Sequence, residues 1–436
     1  MQKPAFLLAL LAATAAIISC AHAAVRMQAI RTDAGRGLTP RELLQRMSLR
    51  SKARAARILD EASGGTQVTP GSFDGDVPDT EYLVHFAVGT PPQPVQLTLD
   101  TGSDLIWTQC PPCTSCFHFP QALPYFDESA SSTFAGALPC SSKACQALPI
   151  TSCGAGADAS PSPGNQTCAY GYSYGDGSVT IGILVSDTFT FPDAGTAVPD
   201  LAFGCGVNNT GIFKSNETGI AGFGRGALSL PSQLKADNFS YCFTDIKGTA
   251  PSPVQIDLPA NLFSSDPAAV QTVTLIQNPD TNPSLYYLPL TGITVGSTHL
   301  PITANGTGGT IIDSGTGMTS LPHDVYDLLH DAFVEQAGLP VFNATSVSVS
   351  QLCFTLPAAG ARPDVPKLVL EFEGATVDLP RENYMFDIDG ATCLAVNDGG
   401  GGDTTIIGNY QQQNVHVLYD LANNKLSFAP AQCDQV

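Results

Sequence analysis

The sequence predicts an all-β chain with few short helices, built from two related halves. Three observations carry this. An apolar strand ending in Asp-(Thr/Ser)-Gly-(Ser/Thr) occurs twice, as Leu97-Thr98-Leu99-Asp100-Thr101-Gly102-Ser103 and as Thr310-Ile311-Ile312-Asp313-Ser314-Gly315-Thr316. Alternating apolar runs recur along the chain, as in Tyr82, Val84, Phe86 and Val88 and again in Val95, Leu97 and Leu99. Charged residues make up only 13% of the 436 positions, while Gly (41) and Pro (33) are abundant, which suits strands joined by many turns.

In chain order, the N-terminus reads as a secretory leader. Lys3 is followed by an apolar run from Ala5 to Ile18 and by Ala21-His22-Ala23, a small-residue cleavage pattern, so residues 1–23 are expected to be removed. The run is too short for a bilayer-spanning helix, and no membrane anchor is expected. Residues 24–75 differ from the rest, with nine basic residues against five acidic ones. Thr39-Pro40-Arg41-Glu42 opens like a helix, with Thr as cap and Pro in the first position. Ser63 to Gly75 reads as a linker. The body from residue 76 onward holds nine basic against 34 acidic residues, and the whole chain carries −20, which argues against nucleic acid as a partner.

Two strands then lead to Asp100, with Gly89-Thr90-Pro91-Pro92 turning the chain between them. A cysteine-dense segment follows. Of thirteen cysteines, Cys20 lies in the leader, leaving an even twelve. Cys110, Cys113 and Cys116 have a spacing that metal sites also use. The secretory context and the lack of a nearby fourth ligand favour disulfides, and no metal site is expected. Tyr170 to Ile183 reads as a hairpin with Gly175-Asp176-Gly177 at its tip, a candidate mobile flap. Residues from Asn238 to about Pro283 look like the crossing between halves. After Asp313 one helix is expected over Pro322–Gln336, with Val325, Leu328, Leu329 and Phe333 on its buried face. Sequons begin at Asn165, Asn208, Asn216, Asn238, Asn305 and Asn343.

The two Asp turns suggest a chemistry. Carboxylates about 3 Å apart share one proton, so one acts as general base while the other acts as general acid. Gly102 and Gly315 permit turns that bring backbone amides to the carboxylates. Ser103 and Thr316 can donate to them, and Thr101 and Ser314 can brace the turns against each other. No cofactor is needed.

These motifs, with Tyr174-Gly175-Asp176-Gly177-Ser178, make the chain from about residue 80 onward similar to the pepsin-type aspartic proteases, in the plant nepenthesin-like branch. The resemblance implies a bilobal pepsin-like acid protease fold with a cleft between the lobes, Asp100 and Asp313 as catalytic residues, and Tyr174 as the flap tyrosine meeting the indole of Trp107. It implies that Ile220-Ala221-Gly222 and Ile406-Ile407-Gly408 pack beneath the two turns. It implies disulfides Cys110–Cys113, Cys116–Cys205, Cys140–Cys168, Cys145–Cys153, Cys242–Cys433 and Cys353–Cys393. Residues 24–75 become a prosegment and linker, 76–245 the N-terminal lobe and 246–436 the C-terminal lobe. The expected protein is a secreted, monomeric, glycosylated zymogen of an acid-active endopeptidase, in the apoplast or the vacuole. It would take protein or peptide substrates and pepstatin-like inhibitors. The rival is a catalytically inactive binding or inhibitor protein on the same fold. Such relatives typically lose parts of the Asp motifs or the flap, and this chain keeps them.

Overall fold

The computed structural model describes residues 25–31, 37–63, 81–116, 123–154, 166–191, 195–211, 213, 217–257, 269–277, 282–302, 309–342, 352–358, 361–388, 390–400 and 402–435. The leader, Cys20, the linker after Ser63, and the sequons at Asn165, Asn216, Asn305 and Asn343 lie outside the described residues.

Most of the described chain is strand, arranged as a 15-stranded sheet with further sheets of five, four and three strands. The repeat in the sequence becomes a repeat in topology. In the first half, β3 (Gln93–Asp100) runs parallel to Gly219–Gly222, with Ile220 opposite Thr98 and Gly222 opposite Asp100. Gly219–Gly222 is antiparallel to β4 (Trp107–Gln109), which is parallel to Thr196–Thr210. In the second half, Thr310–Ile312 runs parallel to Thr405–Ile407, which is antiparallel to Thr319–Leu321, itself parallel to Val396–Asp398. Each half thus hangs its Asp turn between the first and third strands of the same four-strand arrangement, on either side of the strand that separates them.

β3 is buried on both faces despite its alternating sequence. Gln96 and Thr98 are buried alongside Val95, Leu97 and Leu99. β3 lies between Gly219–Gly222 and β2 (Tyr82–Val88) in the middle of the large sheet, so both of its edges are hydrogen-bonded as well.

Strands from both ends of the chain join the large sheet. Asn238–Cys242 pairs with Val415–Asp420, and Ser252–Ile256 pairs with β1 (Val25–Arg31), which pairs in turn with β2. β1 alternates buried Val25, Met27 and Ala29 with exposed neighbours, as a strand covered on one face should.

Helix α1 (Pro40–Ser63) begins with a reciprocal cap. The Thr39 N–H donates to Glu42 Oε2 (2.8 Å) and the Glu42 N–H donates to Thr39 Oγ1 (3.3 Å). Leu43, Leu44 and Met47 pack with Phe386, Ile388, Cys393 and Tyr410 of the second half. Each such burial contributes about 1.5–3 kcal/mol, so the segment is anchored by apolar contact as well as by charge.

The helix after Asp313 spans His323–Gln336, one residue shorter at its start than expected. Its buried stripe is Tyr326, Leu329, Ala332 and Phe333, whereas Leu328 is 52% exposed. The apolar spacing admitted two stripes, and packing chose the one carrying Tyr326 and Phe333.

The disulfides correct the expected pairing in the first half. Cys110 pairs with Cys205, Cys113 with Cys116, Cys140 with Cys153 and Cys145 with Cys168. The pairs Cys110–Cys113, Cys116–Cys205, Cys140–Cys168 and Cys145–Cys153 do not form. The parallel register of β4 with Thr196–Thr210 sets Thr108 opposite Cys205, and Cys110 follows within 5.3 Å Cα–Cα. That leaves Cys113 and Cys116 to close a short loop. Cys145 and Cys168 are both buried in the cluster around Trp107, while Cys140 and Cys153 lie nearer the surface. In the second half Cys242–Cys433 and Cys353–Cys393 form as expected.

Candidate active site

Asp100 and Asp313 are both fully buried, at the ends of equivalent strands. Their surroundings match atom for atom. Ser103 Oγ donates to Asp100 Oδ2 (2.5 Å) and the Gly102 N–H to Asp100 Oδ1 (3.1 Å). Thr316 Oγ1 donates to Asp313 Oδ2 (2.6 Å) and the Gly315 N–H to Asp313 Oδ1 (2.9 Å).

The two turns are locked to each other. The Thr101 N–H donates to Ser314 Oγ (3.0 Å), and the Ser314 N–H donates to Thr101 Oγ1 (2.9 Å). Ser314 Oγ also donates to the Leu99 carbonyl (2.9 Å). The glycines are required by approach: a Cβ on Gly102 would meet Asp313 Oδ1 at 2.8 Å, and one on Gly315 would collide with Asp100 Oδ1. Ile220, Ala221 and Gly222, and Ile406 and Ile407, lie in the strands beside the turns. Gly222 leaves room for the backbone of Asp104, and Gly408 for that of Met318.

A third group completes the cluster. Arg54 of α1 is buried between the two carboxylates. Its Nη2 donates to Asp100 Oδ1 (2.5 Å) and Asp313 Oδ1 (3.2 Å), its Nε lies 2.8 Å from Asp313 Oδ2, and its Nη1 donates to the Gly315 carbonyl (3.0 Å). The basic cluster on α1 signalled this in the sequence, but not which arginine reaches the dyad. Ser51, one turn earlier, accepts from the Met318 N–H (2.7 Å), and Ser48 Oγ donates to Asn397 Oδ1 (2.9 Å).

The two carboxyls are pushed apart. Burial raises Asp100, but Arg54, the Ser103 hydroxyl and the Gly102 N–H outweigh it and hold this carboxyl below its ordinary value. At Asp313 burial prevails over Arg54, the negative charge of Asp100 adds to it, and the carboxyl is raised. Burial opposes the charge on Arg54, yet the surrounding carboxylates raise its pKa, so it stays a cation.

The hairpin formed by Thr167–Ser173 and Val179–Phe191 turns at Tyr174–Gly177. Gly177 adopts φ +87°, and Asp176 Oδ1 accepts from the Ser178 N–H (2.8 Å). Trp107 Nε1 donates to Tyr174 Oη (2.7 Å), and both rings are buried, with Phe213 edge-on to the indole at 5.3 Å. Asn208 and Asn238, the two described sequon asparagines, are half-buried within strands.

Comparison with known proteins agrees with this geometry. Residues 82–255 match the family described as xylanase inhibitor N-terminal, and residues 285–430 its C-terminal counterpart. The chain is 42% identical to aspartic proteinase nepenthesin-1 of Nepenthes gracilis over 92% of its own length and 88% of that protein's. In fold it is similar to the basic 7S globulin from soybean (TM-score 0.66, 19% identity, covering 94% of this chain and 97% of that one). It is likewise similar to an aspartic proteinase from Irpex lacteus (TM-score 0.57, 16% identity, 82% and 96%).

Two lobes, each giving one Asp turn to a shared centre, define the class of pepsin-like aspartic proteases. Within it, the chain belongs to the nepenthesin-like family.

Proposed function

We propose that this chain is the zymogen of a secreted, acid-active aspartic endopeptidase, with Asp100 and Asp313 as its catalytic pair and residues 24–75 as an inhibitory prosegment. The observation that carries the reading is the matched pair of buried carboxyls, each held by a hydroxyl and an amide, with opposite pKa directions.

The ionised Asp100 takes a proton from a water whose oxygen attacks the scissile carbonyl carbon. The protonated Asp313 gives its proton to the carbonyl oxygen, and a tetrahedral diol forms. The C–N bond then breaks as the nitrogen gains a proton from the pair and the diol collapses to an acid. Arg54 occupies the position where a substrate carbonyl would enter, so the chain with α1 in place is inactive. On acidification Asp100 protonates, its bond to Arg54 weakens, and the prosegment leaves. The twelve cysteines beyond the leader, all in disulfides, suit an oxidising compartment. Among the described residues no helix is long and apolar enough to cross a membrane.

The test is cleavage of a denatured protein substrate by the processed chain at acidic pH, with and without pepstatin. Pepstatin-sensitive cleavage that disappears in Asp100→Asn supports the reading. Tight protein binding with no cleavage supports instead an inactive binding protein, the reading raised by the xylanase-inhibitor description.

A further inference from the structure

The two Asp turns are tied together from below as well as directly. Tyr241 of Asn238–Cys242 and Tyr419 of Val415–Asp420 lie on neighbouring strands of the large sheet, and both are fully buried. Their hydroxyls are 2.8 Å apart, and the Tyr241 hydroxyl is 2.5 Å from Gln412 Oε1. Gln412 Nε2 donates to the Ile407 carbonyl (3.0 Å), which also accepts the Asp313 N–H (3.0 Å). At the other end the Thr101 hydroxyl bonds that of Tyr419. The charge of Asp313 acts on both phenols, so the pair lies close beneath the dyad.

These bonds can point only one way. The Ile407 carbonyl needs the amide nitrogen of Gln412, so the amide oxygen faces Tyr241. That oxygen carries no proton, so Tyr241 donates to it. Tyr419 then donates to Tyr241, and Thr101 donates to Tyr419. Thr101 Oγ1 is in turn the acceptor of the Ser314 N–H (2.9 Å). The result is a closed ring of bonds. It leaves the second turn at Ser314, crosses to the first at Thr101, descends through two phenols and an amide, and returns to the second turn at Asp313. Burial raises both phenols, so they keep their protons wherever a carboxyl titrates. Tyr286 packs edge-on to Tyr419 at 4.6 Å, with the Arg225 guanidinium over its ring at 5.7 Å, and burial raises it too.

From this ring, and resting on the protease reading above, we infer that Tyr241 and Tyr419 are positioning residues for the reaction: they direct the Thr101 hydroxyl and so fix the spacing of the two carboxyls. Without Tyr419 the Thr101 proton is left to the Ile312 carbonyl, now a long contact of 3.5 Å. Shortening that contact draws Thr101 away from Ser314, and the carboxyls relax apart. Their spacing matters because mutual repulsion separates the two titrations of the pair. The window between those titrations is the range in which one carboxyl is ionised and the other protonated.

The experiment measures kcat, KM and the pH profile of kcat/KM on one peptide substrate. It compares the processed enzyme with Tyr241→Phe, Tyr419→Phe, the double variant, and Tyr384→Phe as control. Tyr384 is also buried and donates its hydroxyl proton to a carbonyl, that of Pro366 (3.1 Å), outside the ring. Each single variant of the ring should lower kcat about tenfold at unchanged KM, the scale of one lost hydrogen bond. Its bell-shaped profile should narrow by about half a pH unit, the change in repulsion when charges about 3 Å apart separate by about 0.5 Å more. The double variant should be no slower than either single one, since each opens the same ring. Tyr384→Phe should move thermal stability alone. Either single variant suffices if the other does not fold. Unchanged kcat and profile width in a folded single variant, or losses that multiply in the double variant, overturn the inference and leave the protease reading intact. Failure of the unsubstituted enzyme to cleave any peptide overturns both.

Discussion

Arg54 and Asp100 form an ion pair at the centre of the molecule, Nη2 to Oδ1 at 2.5 Å, with both side chains removed from water. A guanidinium in that position satisfies two carboxylates that would otherwise repel each other, and it blocks both. Because Asp100 is held below its ordinary pKa, the pair is intact above that lowered value and is lost as pH falls through it. Conversion of the purified chain should therefore begin only at distinctly acidic pH. In Arg54→Gln, conversion followed on gels should begin at a higher pH. An unchanged conversion pH would mean that Arg54 is not the latch.

Asp100→Asn and Asp313→Asn should each lower peptide cleavage by about 10²–10⁴-fold, the usual worth of a positioned acid or base. Neither should lose its far-UV circular dichroism, since the amide keeps the oxygen that accepts from Ser103 or Thr316. Full turnover in either variant would sink the mechanism.

The Trp107–Tyr174 bond makes the flap prediction specific. Tyr174 is 4% exposed and belongs to a buried cluster, so Tyr174→Ala would also remove packing. Tyr174→Phe is the sharper variant, because it removes only the hydroxyl that accepts from the indole. Leaving that buried N–H without its partner costs about 1–3 kcal/mol when the flap is closed. Turnover should fall by about tenfold or more, while thermal denaturation of the uncleaved chain moves by a few degrees at most. Unchanged kinetics would leave Tyr174 with a packing role only.

His416 gives the chain an acid limit of its own. Its Nε2 lies 2.8 Å from Ser240 Oγ within the large sheet, and burial lowers its pKa to about 4. Unfolded, the ring titrates near its ordinary value of about 6.5. The unfolded chain thus binds more protons between these values, and stability falls as pH drops from about 6.5 to about 4. The full effect is on the order of 3 kcal/mol. His416→Gln, which can still bond Ser240, should flatten denaturation midpoints measured across that range. An unchanged slope would assign the acid sensitivity elsewhere.

Much of the site was legible because it is local in sequence. Asp, Gly and hydroxyl residues at fixed spacing set the contacts within each turn, and the repeat set the second copy. What escaped the sequence depends on which side chains meet across long separations. Cys153 stands opposite Cys168 in the strand register, yet Cys168 turns inward to Cys145 and Cys153 outward to Cys140. Leu328 and Tyr326 were both eligible for the buried face of their helix, and only packing decided. Arg50 and Arg54 were visible as charge on a basic segment. Their partners Glu81, Asp176, Asp100 and Asp313 were separated from them by tens to hundreds of residues, and only the fold brings them together.

β1 occupies an interior position in its sheet, with Ala29 paired to both Ser252 and Val84. Cutting the chain after α1 therefore does not by itself clear residues 25–31. They are tied by backbone ladders on two sides, while α1 is tied by side chains. If the strand did leave, the gap between β2 and Ser252–Ile256 would be about 10 Å wide, two strand spacings, and would be lined by unpaired amides and carbonyls. Such a slot is an open template for any extended segment, including one from a second molecule. On the zymogen reading proposed above, maturation would thus pose a topological problem separate from unblocking the dyad: the processed protein would keep a cleaved seven-residue strand as a bound peptide, or refill the slot from its own new N-terminus.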